Sequence, residues 1–143
     1  MKRPVANDIE VIFPGGSMIT ETDLKGVITF ANRKFLQMTG YTLDEVIGKM
    51  HSMIRHPQMP KAAFKQLWET IQKGEDWNGY VKNLRKDGAF YWVHVFITAK
   101  RDDSGTVIGY IAGRKVPDAY GLNRAKEKYI KMLEEEQSAE EFL

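Results

Sequence analysis

The sequence predicts an α+β domain: an antiparallel sheet with short helices gathered on one face, followed by a separate C-terminal helix. Two observations carry the sheet. Two short β-branched runs lie near the start, and three longer alternating runs fill the second half. A third observation places the helices, because the segments with helical spacing fall between those two groups or after them.

Taken in order, residues 1–16 read as an N-terminal arm. Pro4 and Asn7-Asp8 interrupt it, Ile9–Phe13 is a short apolar stretch, and Pro14-Gly15-Gly16 ends it. Ser17–Thr22 and Gly26–Ala31 form a strand-turn-strand pair around Asp23-Leu24-Lys25-Gly26. Asn32 caps a short helix carrying Phe35, Leu36 and Met38 that stops at Gly40. Thr42 opens a second one, with Glu45 three residues on as a capping box and Gly48 at its end. His51–Pro60 is irregular. Lys61–Lys73 is a helix with Phe64, Leu67, Trp68 and Ile71 on one face, ended by Gly74. Trp77–Arg85, Phe90–Arg101 and Thr106–Lys115 are strands joined by Lys86-Asp87-Gly88 and Asp102-Asp103-Ser104-Gly105. The domain proper is thus expected over residues 17–116, as a five-stranded antiparallel sheet.

Beyond Pro117 the composition shifts to Lys, Glu and Ala, and residues 117–143 form a signalling or dimerisation helix. Leu122, Ala125, Tyr129, Met132, Glu136, Ala139 and Leu143 recur in alternating steps of three and four, a heptad seam with one charged position. Such a seam suits packing on its own domain and pairing with a second copy equally well.

Composition narrows the function. Hydrophobic residues are 43% and charged residues 28% of 143, the balance of a soluble globular domain. A net charge of +2, with no basic block, gives no case for nucleic acid. There is no cysteine, which excludes disulfides, thiolate metal sites and a thiol nucleophile, and fits the cytoplasm. Three histidines show no zinc spacing. No apolar run approaches the roughly 20 residues of a membrane span, so no direct membrane insertion is expected. No glycine-rich phosphate loop or Ser/His/Asp order argues for an enzyme.

The most specific stretch is Arg55-His-Pro-Gln-Met-Pro-Lys-Ala-Ala-Phe64, preceded by His51 and followed by Trp68. Trp77-Asn-Gly79, Val81-Lys-Asn-Leu-Arg-Lys-Asp-Gly88 and Tyr91-Trp-Val93 come later, with Asn32 and Gly40-Tyr41-Thr42 before. Together, over roughly residues 5–115, these resemble the PAS domain of the aerotaxis receptors and related energy-taxis redox sensors. The resemblance implies a PAS fold and FAD held non-covalently, with FMN as an alternative. It also implies redox state reported to a chemotaxis receptor or other signalling domain, in cis or trans. The chain departs from the family string at Gln58, where the family carries Asp, which removes a carboxylate partner for Arg55 or the cofactor.

The residue chemistry suits such a ligand. Trp68, Trp77 and Trp92 can wall a flat ring, or simply fill the core. Asn83 carries a donor and an acceptor side by side, matching the edge of an isoalloxazine, and otherwise serves a turn or strand edge. Arg55 and His56 can meet a phosphate or an anionic ring, or pin a loop. Asn32 is either a pocket residue or only a helix cap. His51 and His94 read as structural. Heme, held by His56 or His51, is the less favoured cofactor. The light-sensing PAS subclass needs a cysteine that is absent here. A cofactor-free dimerisation module is the remaining alternative.

Overall fold

The computed structural model describes residues 2–142. Strands β1 (Met18–Asp23) and β2 (Ile28–Ala31) lead into helices α1 (Arg33–Thr39) and α2 (Leu43–Val46), then a short 3-10 turn at His51–Ile54. Helix α3 (Lys61–Gln72) follows, then strands β3 (Trp77–Leu84), β4 (Phe90–Arg101) and β5 (Val107–Lys115), and finally helix α4 (Ala119–Phe142). All pairings are antiparallel and the strand order is β2-β1-β5-β4-β3. The β3–β4–β5 meander therefore joins the N-terminal hairpin through β1 and β5, which pairs two strands far apart in sequence, with β5 at the centre of the sheet.

Period-two alternation decides the faces. In β4, Tyr91, Val93 and Val95 are buried under the helices, while Trp92, His94 and Phe96 point to the outer face. In β5 the buried side chains are Tyr110, Ala112 and Arg114, and in β1 Met18 and Thr20. The inner face meets α1, α2 and α3, whose Phe35, Met38, Val46, Leu67 and Ile71 complete one core.

Local chemistry sets the helix ends. Asn32 Oδ1 accepts from the N–H of Phe35 and of Ile19, each at 3.1 Å, and its Nδ2 donates to Ser17 O at 2.8 Å. One side chain thus starts α1 and ties it to β1. The Glu45 carboxylate accepts from the Thr42 N–H at 3.0 Å, as the capping pattern requires. Gly26 is one glycine whose bare backbone serves both a turn and a close neighbour. It sits at φ +89° in the β1–β2 turn, and a Cβ there would lie 3.0 Å from the Trp68 ring.

The N-terminal arm runs beside the start of β4. Val11 N–H donates to Phe90 O at 2.8 Å, and Phe90 N–H donates to Ile9 O at 2.9 Å. At the other end, α4 folds back against β3 and β4. Its seam residues Leu122, Ala125, Tyr129, Met132 and Glu136 are half-buried, as are Gly121, Lys126 and Leu133, whereas Ala139 is exposed. Tyr129 Oη donates to Tyr80 O at 2.6 Å, and its ring stacks on Trp92 with centroids 6.3 Å apart. The seam is therefore used against the chain's own domain as far as Glu136. Leu143, its last position, lies outside the described residues.

Candidate functional site

Between the inner face of the sheet and α3 lies a cavity of about 260 Å³. Its apolar walls come from α3 through Phe64, Leu67, Trp68 and Ile71, and from the sheet through Val81, Val95, Ile97 and Tyr110. Trp68 packs edge-on against Tyr110, with ring centroids 5.9 Å apart. The partly exposed edge runs along Met50, Ser52 and Arg55 on one side and Phe64 and Trp68 on the other. This opening lies between the 3-10 turn and α3.

Polar groups converge on the cavity from three elements. Arg114 reaches in from β5 and is only 5% exposed. Its Nη1 donates to Thr20 Oγ1 at 3.0 Å and to Ala112 O at 3.1 Å, and its Nη2 meets His51 Nε2 at 2.8 Å. No carboxylate lines the cavity among the described residues, so this guanidinium is buried without a counter-ion. Burial lowers its pKa to about 10, which leaves it charged at neutral pH. His51 goes the other way. Burial and then the Arg114 charge push its pKa down to about 3, so the imidazole is neutral and its Nε2 accepts from Arg114.

Several buried polar atoms here lack a partner. Arg114 Nε and Arg55 Nε at the cavity, and Tyr91 Oη in the core outside its lining, make no hydrogen bond, an arrangement that protein interiors generally avoid. Burial raises the Tyr91 hydroxyl to about 12, against the smaller lowering effects of Arg114 and Asn83. Asn83, 4% exposed on β3, turns its amide toward the same space. Arg55 lies with its guanidinium carbon 3.7 Å from the centroid of the Phe64 ring, and its backbone bridges that of Asn83. Burial lowers its pKa first, and nearby Arg3 adds to the effect.

Of the eight residues singled out in the sequence, Arg55, Trp68 and Asn83 line this cavity together. The other five do not. Asn32 spends its side chain on the α1 cap and on Ser17. His56 is buried, with Nδ1 accepting from the Gln58 N–H at 3.1 Å, and its backbone N–H donates to Lys82 O. Gln58 is exposed and accepts from Lys82 Nζ at 3.0 Å, so the amide takes the place of a carboxylate in a surface contact. Trp77 donates from Nε1 to Gln66 Oε1 at 3.0 Å and lays its ring across Gly79, where a Cβ would come within 2.6 Å. Trp92 is on the outer face under Tyr129, because one step along β4 reverses the side of the sheet.

Sequence reasoning assigned His51 a structural role and overlooked Arg114 and Thr20. A signal for Arg114 was present. It shares the face of Tyr110 and Ala112 in the alternation of β5, which puts an arginine where a core residue belongs. His51 was marked only as a neighbour of the specific stretch and a less favoured heme ligand, since the 3-10 turn that carries it has no alternation to place its side chain.

An antiparallel sheet roofed by short helices over a cavity with one partly exposed edge is the architecture of this domain class. The comparisons sharpen that class. A family profile described as the PAS fold matches residues 28–112. The chain is 47% identical over 98 residues, 68% of its length, to the aerotaxis receptor of Escherichia coli strain K12, of which this covers 19%. It is 27% identical over 117 residues, 81% of its length, to the nitrogen fixation regulatory protein of Klebsiella pneumoniae, covering 24% of it. Among solved structures, the dark state of the blue-light photoreceptor Aureochrome1 LOV superposes with a TM-score of 0.69 at 29% identity. That match covers 80% of this chain and 86% of the other. A light-oxygen-voltage domain probed with a flavin analogue gives 0.67 at 29% identity, covering 82% and 89%. The chain belongs to the PAS family, as a PAS sensory domain related to the aerotaxis receptor. It spans 19% and 24% of the two curated relatives just named. Among the described residues, no helix is long and apolar enough to cross a membrane.

Proposed function

We propose that this domain holds a flavin, FAD, non-covalently in the cavity and reports its redox state to a chemotaxis receptor or another signalling domain, in cis or trans. One observation carries the reading: Arg114 is a buried guanidinium with an orphaned Nε, facing a cavity without a carboxylate. A buried, uncompensated charge is costly, and an electron-rich ring edge or an anion would offset it. The similarity to an aerotaxis receptor and to a domain studied with a flavin analogue supports the same ligand class.

The residues fit. Apolar and aromatic walls suit the flat faces of the ring, and Asn83 supplies a paired donor and acceptor at one edge. A volume of about 260 Å³ falls below the roughly 300–1,000 Å³ that encloses a whole drug-sized ligand. It suits a ring system whose sugar-phosphate tail leaves past Arg55, where a cation is waiting. A bound flavin would supply a ring whose charge and hydrogen bonding change on reduction. Arg114 holds a fixed positive charge beside it, and neutral His51 and Thr20 hold Arg114 in place. Any change of load on Arg114 reaches the central strands β5 and β1 directly, with a coupling of about 1–3 kcal/mol typical of such switches.

The domain's work is binding and signalling in the cytoplasm, not catalysis. Residues 1–16 act as an arm, 17–116 as the sensor and 117–143 as the output helix. Heme fits less well, because His51 Nε2 is engaged by Arg114 and His56 does not line the cavity. The test is an absorption spectrum after equilibration with FAD, or separately FMN, and gel filtration. Retained flavin bands with FAD support the reading. Retention of FMN alone changes the cofactor. A colourless protein, or a Soret band after purification, overturns it.

A further inference from the structure

The N-terminal arm ends at the mouth of the cavity, and the turn between β3 and β4 fixes its course. Asn7 N–H donates to Gly88 O at 2.9 Å, and Asn7 Nδ2 donates to Asp87 O at 3.3 Å. Asn7 Oδ1 accepts from Ile9 N–H at 3.0 Å, which holds the bend in the arm at Asp8. Gly88 sits at φ +88°, and a Cβ there would lie 2.3 Å from Val5 O, so the arm passes directly over a bare backbone. From that anchor the chain brings Arg3 to the segment before α3, where its Nη2 donates to the carbonyl of Arg55. Arg55 lines the cavity mouth, with its guanidinium held over the Phe64 ring. Two arginines are therefore gathered at one opening. Neither forms an ion pair among the described residues. The Arg3 charge adds to burial in lowering the Arg55 pKa, as a like charge close by does. Arg55 Nε, moreover, is buried without a partner.

We propose that Arg3 and Arg55 form a diphosphate clamp, which makes the arm part of the binding site and Arg3 the residue that selects a dinucleotide over a mononucleotide. The clamp rests on the flavin reading above and holds the half of the ligand that lies outside the cavity. A cavity of about 260 Å³ takes the ring, so the charged tail has to lie at the mouth, where both arginines are. Two uncompensated cations at one rim repel each other, and an anion with two phosphates relieves both at once. A diphosphate presents acceptor oxygens on two adjacent groups, which suits two planar forks supplied by separate segments of chain. A single phosphate satisfies the nearer fork, Arg55, and leaves Arg3 with little to gain.

The test is a set of three affinities on the full chain, for riboflavin, FMN and FAD. Arg3→Ala should weaken FAD about tenfold, the scale of one charged hydrogen bond, and move riboflavin and FMN less than about twofold. Arg3→Lys, which keeps the charge but not the fork, should fall between parent and Arg3→Ala. Hydrogen exchange gives a second readout. FAD, but not riboflavin, should slow exchange of the Asn7 and Val11 amides that tie the arm down. Arg3→Ala should abolish that slowing, while core amides of β4 and β5 keep their protection and show the fold intact. Equal losses for FAD and riboflavin, an unchanged FAD affinity in Arg3→Ala, or an arm that FAD does not slow would each overturn the proposal. A parent chain that binds no flavin would sink the flavin reading alone, and inorganic pyrophosphate then decides the clamp. Pyrophosphate should shift the Arg3 and Arg55 Nε–H resonances of the ligand-free chain, and Arg3→Ala should weaken its binding. Resonances left unmoved by pyrophosphate would overturn the clamp as well.

Discussion

On the inner face of the sheet, Arg114 and Tyr91 are shut away from solvent with a polar atom each to spare, and Asn83 is buried on the same face. On the outer face the polar groups are matched: Tyr80 donates to Asp118 at 2.5 Å, His94 meets Asn78 at 3.0 Å, and Tyr129 donates to Tyr80 O. Both faces carry aromatic rings on the same strands. The difference lies in satisfaction, and it separates a surface built to receive something from one already filled by the chain itself. Substitutions on the inner face should change ligand binding, and those on the outer face should change stability.

The largest effect expected is at Arg114. Arg114→Met should weaken FAD binding about thirtyfold, the scale of one charge-assisted interaction in a dry site. The ligand-free protein should gain about 1 kcal/mol in chemical denaturation, because a buried uncompensated charge is gone. Next is Trp92→Ala, which should cost about 2 kcal/mol of stability by stripping the platform under Tyr129, while FAD affinity moves less than about threefold. Opposite signs at these two positions would erase the distinction between the faces.

Asn83→Ala should reduce FAD affinity about tenfold with little change in the stability of the ligand-free chain. A smaller effect concerns pH. His51 and His56 titrate near 6.5 when unfolded, but burial first, then neighbouring cations, hold them at about 3 and about 4 in the fold. The unfolded state then binds more protons below pH 6.5, so stability should fall as pH drops from 6.5 toward 4. Each histidine should account for about 1–2 kcal/mol of the difference between denaturation at pH 6.5 and at pH 5, and His51→Asn should remove its share. The smallest change is Gln58→Asp. It turns an exposed hydrogen bond to Lys82 into an exposed ion pair and should shift stability by less than about 0.5 kcal/mol.

Much of the fold was legible because alternation and punctuation are local. The five strands, the α1 cap at Asn32 and the seam of α4 all follow from residue spacing. The site was only partly legible. Asn83, Arg55 and Trp68 come together at one cavity, but Trp77 and Trp92 show that an aromatic side chain carries no label for the face it occupies. Strand register settles that, and register between β5 and β1 joins residues about ninety positions apart, as Arg114 and Thr20 do. The Arg114–His51–Thr20 cluster exists only once that long-range pairing is made. The cap of α3, where Glu136 accepts from the Lys61 and Ala62 N–H groups, was hidden for a related reason, since nothing near Glu136 in the chain reveals that helix start.

Arg114 is the group proposed to meet the flavin, and the Nε–H resonance of that side chain reports on such a contact directly. In NMR of the full chain, adding FAD should shift the Arg114 Nε–H signal and slow its exchange with water, and chemical reduction should shift it again. An Arg114 signal left unmoved by saturating FAD would contradict the account.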